Sequence, residues 1–322
     1  MSELKNYKTV LIIGIAGALA QITARLMLKE FPWLKIIGID SRTINNIEAN
    51  ENLELISFKY TRGNFENLFR DKYFDLVIHL GRISHTSSNP NKIIAERLDL
   101  NLMGSQRILD LSLHFNVKKI IVLSTFHVYG AINDNPVFLK EDAVLRASIK
   151  YPELRDVVEM DQICTNWMWK NQNTISTIVL RPCNIIGAQV KNAMSKYLTY
   201  EYAPIPFDYN PIFQFIHEFD MANIIIQCAD KVPTGIYNVA PDDFISIRDA
   251  FKHLNVKGVP VSMLLLGIVA GIVKKSGRSL PDYLIDYLKY SCLIDNSELK
   301  KYLGDNFYRF SVRESLDQLK LV

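Results

Sequence analysis

The sequence predicts an α/β fold. A doubly wound parallel sheet covers residues 1–182, and a smaller, mostly helical part covers 183–322, with 212–240 returning to the sheet. Three observations carry this expectation. The first apolar run, Val10-Leu11-Ile12-Ile13, is too short for a helix and ends in glycine, as a strand buried on both faces does. Strand-like and helix-like segments then alternate through the first 185 residues. From about Asn184 that alternation degrades into a Tyr- and Pro-rich stretch, 194–211, and then into mostly helical pattern.

Taken in order, the first strand leads into Gly14-Ile15-Ala16-Gly17-Ala18-Leu19-Ala20, a G-x-x-G-x-x-A turn, and 21–29 continues as a helix former. A strand, a tight glycine turn and a helix N-terminus together make a pyrophosphate site. The helix end offers unpaired N–H groups and partial positive charge, and residues without bulky side chains let the phosphates come close. Gly14 makes the turn, Gly17 admits the pyrophosphate, and Ala20 lets the helix pack on the strand. The second strand, within 31–39, ends in Asp40, about 20 residues beyond the turn, as a dinucleotide site requires. Strands follow at 53–60, 75–81 and 119–125, and a sixth at 174–181 before Pro182. A long amphipathic helix is expected over 92–115, with Ile93, Ile94, Leu98, Leu102, Ile108, Leu109 and Leu113 at core-like spacing, and another over 152–171. Further strands at 213–217 and 235–240 flank a helix over 220–229.

Composition excludes several classes of function. With 322 residues the chain can bury a sizeable core, and 48% apolar with 22% charged residues is ordinary for a soluble protein. A net charge of +3 is too mild to argue for nucleic acid or a membrane surface. The longest apolar stretch, 259–273, contains Pro260 and two glycines and is too short to span a bilayer, so it reads as a buried helix. Cys164, Cys183, Cys228 and Cys292 show no paired or metal-ligand spacing, and the polar N-terminus is not a signal peptide. No metal is expected, and the expected setting is the cytoplasm, with free thiols.

These landmarks resemble the extended branch of the short-chain dehydrogenase/reductase family, the NAD-dependent epimerase/dehydratase group with its Rossmann-type fold. The resemblance runs through the glycine turn, Val77-Ile78-His79-Leu80, Asn101 with Gly104, and Ser124-Thr125-Phe126-His127-Val128-Tyr129-Gly130. It continues through Leu180-Arg181-Pro182-Cys183-Asn184, Phe215-Ile216-His217 and Tyr237-Asn238-Val239-Ala240. The whole is similar to the UDP-glucose 4-epimerase-like subgroup. The resemblance implies NAD as cofactor, because Asp40 would accept the adenosine ribose hydroxyls and repel a 2′-phosphate. Arg42, two residues on, keeps NADP as the lesser alternative. The dinucleotide would lie against Gly14, Gly17, Ala18 and Leu19, then Asp40, Ser41 and Arg42, then Arg62, which with Thr61 replaces the family's acidic residue near the adenine. Leu80, Gly81, Arg82, Asn101, Leu123, Tyr151, Arg155 and Pro182 would complete its surroundings.

Family chemistry uses a Ser/Thr, a Tyr and a Lys. The resemblance sets Thr125 as the hydroxyl that orients the substrate oxygen and Tyr151 as the base. Four residues on stands Arg155, not lysine; on one helix i and i+4 share a face, so Arg155 keeps the cation in place but with a larger, planar fork. Lys150, as an adjacent residue, is expected to face elsewhere, and Pro152 biases Tyr151 away from helical dihedrals. Ser84, His85, Thr125 and Asn184 would meet the substrate, whereas His79 reads as a packed histidine. Phe213 stands where several nucleotide-sugar members place an arginine, and Lys196, Arg278 and His217 are cations that no motif assigns.

The expected function is therefore NAD-dependent oxidoreduction of the epimerase/dehydratase type on a nucleotide sugar. A homodimer through the 92–115 and 152–171 helices is compatible with it, and nucleic acid or membrane partners are not expected. Two rivals stand beside it. One is a reductase or dehydrogenase of another small hydroxy or keto substrate. The other is a module that holds a dinucleotide without catalysis.

Overall fold

The computed structural model describes residues 3–81, 99–266 and 281–321. Seven strands form its central sheet: β1 (Thr9–Ile13), β2 (Lys35–Asp40), β3 (Leu53–Ser57), β4 (Leu76–His79), β5 (Lys119–Leu123), β6 (Ser176–Pro182) and β7 (Gly235–Val239). Every neighbouring pair is parallel, and the strands lie in the order 7-6-5-4-1-2-3. The third strand ends at Ser57, short of the expected Tyr60, because the chain leaves the sheet edge there.

Strand side chains alternate between faces, so aliphatic runs buried on both sides feed two separate cores. Val10, Ile12, Ile36, Ile78 and Ile121 point to one face, against helices α1 (Ala18–Glu30) and, on the far half, Glu218–Lys231. Leu11, Ile13, Ile37, Val77 and Val122 point to the other. There they meet α2 (Arg62–Asp71), α3 (Ser105–His114) and α4 (Arg155–Asn171). We call Glu218–Lys231 α5 below. Over the described residues the expected long helix at 92–115 runs without a gap, as a π-helical turn, Asp99–Gly104, that passes directly into α3. Residues 92–98 lie outside the described residues.

The C-terminal part carries more strand than its sequence pattern suggests. Asn184–Ile186 pairs in parallel with Phe215–His217, and Tyr202–Pro206 with Lys257–Val261. Leu293–Ile294 pairs with Phe138–Leu139, and Ile212–Phe213 runs antiparallel to Ile245–Ser246. Most of these pieces are two or three residues long, too short to leave an alternating signature. Helix α6 (Asp282–Tyr287) packs back against the loop that follows β5, through Tyr283 and Tyr287 on His127. Among the described residues no helix is long and apolar enough to cross a membrane.

Candidate functional site

The strand order reverses between β1 and β4, which opens a crevice beyond their carboxyl ends. Gly14 turns the chain there with φ +94°, a left-handed value that side chains resist. A Cβ on Gly14 would lie 2.7 Å from the Cα of Gly81, so the ends of β1 and β4 touch backbone to backbone. The turn is held by Gly14 N–H to the Ile39 carbonyl at 2.8 Å and Gly17 N–H to the Gly14 carbonyl at 2.9 Å. Gly17 is the N-cap of α1 and brings no side chain to cover its first N–H groups. A Cβ on Gly17 would meet only the Gly14 carbonyl at 3.2 Å and Arg42 Nη2 at 3.9 Å. The start of α1 therefore presents bare backbone donors and the positive end of a helix dipole, with Ala18 and Leu19 as the first positions of that helix.

Asp40, the last residue of β2, is buried beside this turn. Its Oδ2 accepts the Ala16 N–H at 3.0 Å and its Oδ1 the Arg42 N–H at 2.9 Å. The Arg42 side chain grips both oxygens, Nε to Oδ1 and Nη2 to Oδ2, each at 3.0 Å. Ser41 is exposed beside it, and Arg62, in the first turn of α2, is largely solvent-facing. Leu80 and Gly81 follow β4 half-buried, Leu123 ends β5, and Pro182 ends β6. Asn101 is buried and donates to Asp156 at 2.6 Å. Arg82, Ser84 and His85 lie outside the described residues. His79 is packed as expected: Nε2 meets Ser105 Oγ at 2.9 Å, and burial pushes its imidazole down to about 4.

Thr125 leaves β5 as the N-cap of a short 3-10 turn, Phe126–Val128, and its hydroxyl meets His127 Nδ1 at 2.9 Å. Beneath it runs a buried polar chain. Ser124 donates to Asp161 of α4, Asp161 takes a two-pronged ion pair from Arg181 at 2.6 and 2.9 Å, and Arg181 reaches Tyr129. Tyr129 in turn donates to Asn238 at 2.7 Å. Asn184, also buried, begins the first strand after β6. Phe213 is a core ring stacked 5.8 Å from Phe215. His217 is buried against Phe310 and pushed down to about 4 by burial, which makes it a poor anion partner.

At Tyr151 the structure corrects the expected pairing. The chain is extended there, φ −122° and ψ 95°, between a short helix, Ala147–Lys150, and the 3-10 turn Pro152–Leu154. Helix α4 starts only at Arg155, so Tyr151 and Arg155 do not share a helical face. Arg155 instead extends into solvent, its side chain 71% exposed and paired with Glu159 at 2.5 Å. The cation beside Tyr151 is Lys150, contrary to the expectation that an adjacent residue faces elsewhere. Its ammonium lies 5.4 Å from the Tyr151 ring centroid. The extended backbone at Tyr151 bends the two side chains toward one partner, Asp286 of α6. Tyr151 Oη donates to Asp286 Oδ2 at 2.6 Å, and Lys150 Nζ meets the same oxygen at 2.7 Å. Burial, and next the hydrogen bond to Asp286, raise the ionisation of the phenol well above its ordinary range. Asp286 carries no signal in the sequence, 135 positions away from Tyr151.

A parallel sheet whose first strand enters a bare glycine turn, with a buried carboxylate closing the second strand, defines a dinucleotide-binding Rossmann-type α/β protein. The chain belongs to the NAD dependent epimerase/dehydratase family, whose profile matches residues 10–240. It is similar to an uncharacterised protein of Mycobacterium tuberculosis, 22% identical over 315 residues, spanning 94% of this chain and 81% of that one. In fold it is similar to UDP-glucuronic acid 4-epimerase from Bacillus cereus, solved with UDP-glucuronic acid and NAD, at TM-score 0.75 and 17% identity over 97% of this chain and 98% of that one. It is likewise similar to dTDP-glucose 4,6-dehydratase from Bacillus anthracis, solved with NAD, at TM-score 0.74 and 16% identity over 97% and 96% of the two chains.

Proposed function

We propose that this chain binds NAD at the crevice between β1 and β4 and carries out reversible, epimerase/dehydratase-type oxidoreduction of a nucleotide sugar. The observation that carries the reading is the fit of the cradle. Gly17 leaves the donors of α1 uncovered, Gly14 keeps the turn tight against Gly81, and Asp40 ends β2 with its carboxylate buried beside that turn. The dinucleotides and nucleotide sugars named for the structural relatives agree with it. NAD, when bound, supplies the hydride acceptor and donor. Gly14, Gly17 and the start of α1 would hold its pyrophosphate, and Asp40 its adenosine ribose. Thr125 orients the substrate oxygen, and Tyr151 Oη takes up and returns the proton of the substrate hydroxyl. Arg155, turned to solvent, is left out of that group. The same reading places the protein in the cytoplasm, where its four buried free thiols stay reduced, and carries a homodimer through α3 and α4.

The test is a turnover assay by NMR, with NAD and a panel of UDP-, GDP- and dTDP-sugars, run beside Tyr151→Phe. Product that disappears in the variant is the expected result. Net consumption of the reduced cofactor would point instead to a reductase of another substrate. The hydrogen bond from Tyr151 to Asp286 favours a second reading, a dinucleotide holder without catalysis. It requires that no sugar turn over and that Tyr151→Phe leave dinucleotide affinity unchanged.

A further inference from the structure

The cluster of Lys150, Tyr151 and Asp286 is built from two distant parts of the chain and converges on one atom. Asp286 Oδ2 receives the Tyr151 hydroxyl at 2.6 Å and Lys150 Nζ at 2.7 Å, while the Ala131 carbonyl lies 3.3 Å from the same hydroxyl. Lys150 is also fixed between two rings, 5.4 Å from the centroid of Tyr151 and 5.6 Å from that of Tyr290. Helix α6 is tied to the segment bearing Thr125 by Tyr287, whose hydroxyl donates to the His127 carbonyl at 3.3 Å. The carboxylate is therefore held at the phenol by the fold and is more than a passing surface contact; its side chain is 23% exposed.

We propose that Asp286 is the positioning residue that receives the Tyr151 proton, with Lys150 pinning its carboxylate, so that this trio replaces the tyrosine–lysine pair of the family. The inference rests on the reading of Tyr151 as the acid–base group. The step balances as a relay. The substrate O–H breaks and an O–H forms at Tyr151 Oη; the original Tyr151 O–H breaks and an O–H forms at Asp286 Oδ2. The phenol stays neutral, and one negative charge moves from the carboxylate to the substrate oxygen. The reverse transfer returns the proton. A relay suits a phenol that burial and its carboxylate acceptor hold protonated, because no free phenolate has to form at neutral pH. Among the described residues, the other ionisable groups facing this pair are Glu153 and Cys292 toward Tyr151, Lys289 toward Asp286, and Tyr287 and Tyr290 alongside. Glu153, Cys292 and Asp286 all disfavour a phenolate.

The experiment compares wild type, Asp286→Asn, Asp286→Glu and Lys150→Gln for kcat and KM across pH, on whichever nucleotide sugar turns over. In parallel, the Tyr151 Cζ resonance, assigned by its loss in Tyr151→Phe, is titrated by carbon NMR. Asp286→Asn should lower kcat about a hundredfold at neutral pH with KM unchanged. Its Tyr151 should ionise at lower pH than in wild type, and its rate should rise with that ionisation. Asp286→Glu should recover most of the rate, and Lys150→Gln should show a smaller loss of about tenfold. A wild-type kcat in Asp286→Asn, or a Tyr151 titration that the substitution does not move, overturns the proposal. If no nucleotide sugar turns over in wild type, the function reading fails by itself, and the Tyr151 titration still decides whether Asp286 governs that phenol.

Discussion

Arg42 grips both carboxylate oxygens of Asp40, Nε on Oδ1 and Nη2 on Oδ2, at 3.0 Å each. One residue thus carries the charge that would repel a 2′-phosphate, and its partner carries the charge that would attract one. The Arg42 side chain is 65% exposed and that of Asp40 3%, so the anion is buried and the cation that holds it lies at the surface. Asp40→Asn should remove the repulsion and release Arg42. The expected outcome is a fall in preference for NAD over NADP of roughly tenfold, or ~1.4 kcal/mol. Titration of both dinucleotides against the variant measures it, and an unchanged ratio of dissociation constants would count against Asp40 as the selector.

The approach of Gly14 to Gly81 makes a second prediction. A Cβ at position 14 would meet backbone 2.7 Å away, with φ at +94°, and neither strand end can retreat without disturbing the sheet. Gly14→Ala should cost more than ~2 kcal/mol, combining left-handed strain with the clash. Gly17→Ala, whose Cβ would approach the Gly14 carbonyl at 3.2 Å and otherwise touch only Arg42 Nη2 at 3.9 Å, should cost less. Urea unfolding of the two variants separates them, and equal midpoints would refute the argument.

The pair Asp161–Arg181 is almost wholly out of water, with side chains 0% and 3% exposed. Removing one member strands the other charge. Asp161→Ala should destabilise by about 3–5 kcal/mol, whereas replacing both, as Asp161→Leu with Arg181→Met, should cost clearly less. A double variant no more stable than the single one would show that the network through Ser124 and Tyr129, not the charge, sets the cost.

His79 gives the fold a dependence on acid. Burial suppresses its protonation to about 4, against 6.5 for an ordinary histidine. Between those values the unfolded chain binds more protons than the folded one, so stability rises with pH across that window and is lost as pH falls through it. Going from pH 7 to 5, wild type should lose about 2 kcal/mol more than His79→Gln. Urea midpoints at the two pH values measure the difference; parallel losses would place the acid sensitivity elsewhere, His217 being next.

How much of this was legible beforehand depends on distance along the chain. The glycine turn, the seven strands and Asp40 are written in contiguous runs, because a strand buried on both faces must be apolar and a tight turn needs glycine. The short C-terminal strand pairs are not, since two or three residues leave no period to read. At Tyr151 the amino acids announced the tyrosine and warned of Pro152, yet a rule for continuous helices paired it with Arg155.

By itself, then, the sequence determined the sheet, its cradle and the family to which the chain belongs, through local patterns that act within a few residues. Only the tertiary structure decided what stands beside the tyrosine. It extended the backbone at Tyr151, turned Arg155 to solvent and brought Asp286 across from α6 to share one oxygen with Lys150 and the phenol. That choice is one of packing: burial of Tyr283 and Tyr287 fixes where α6 lies, and no spacing within the chain encodes where its carboxylate will point.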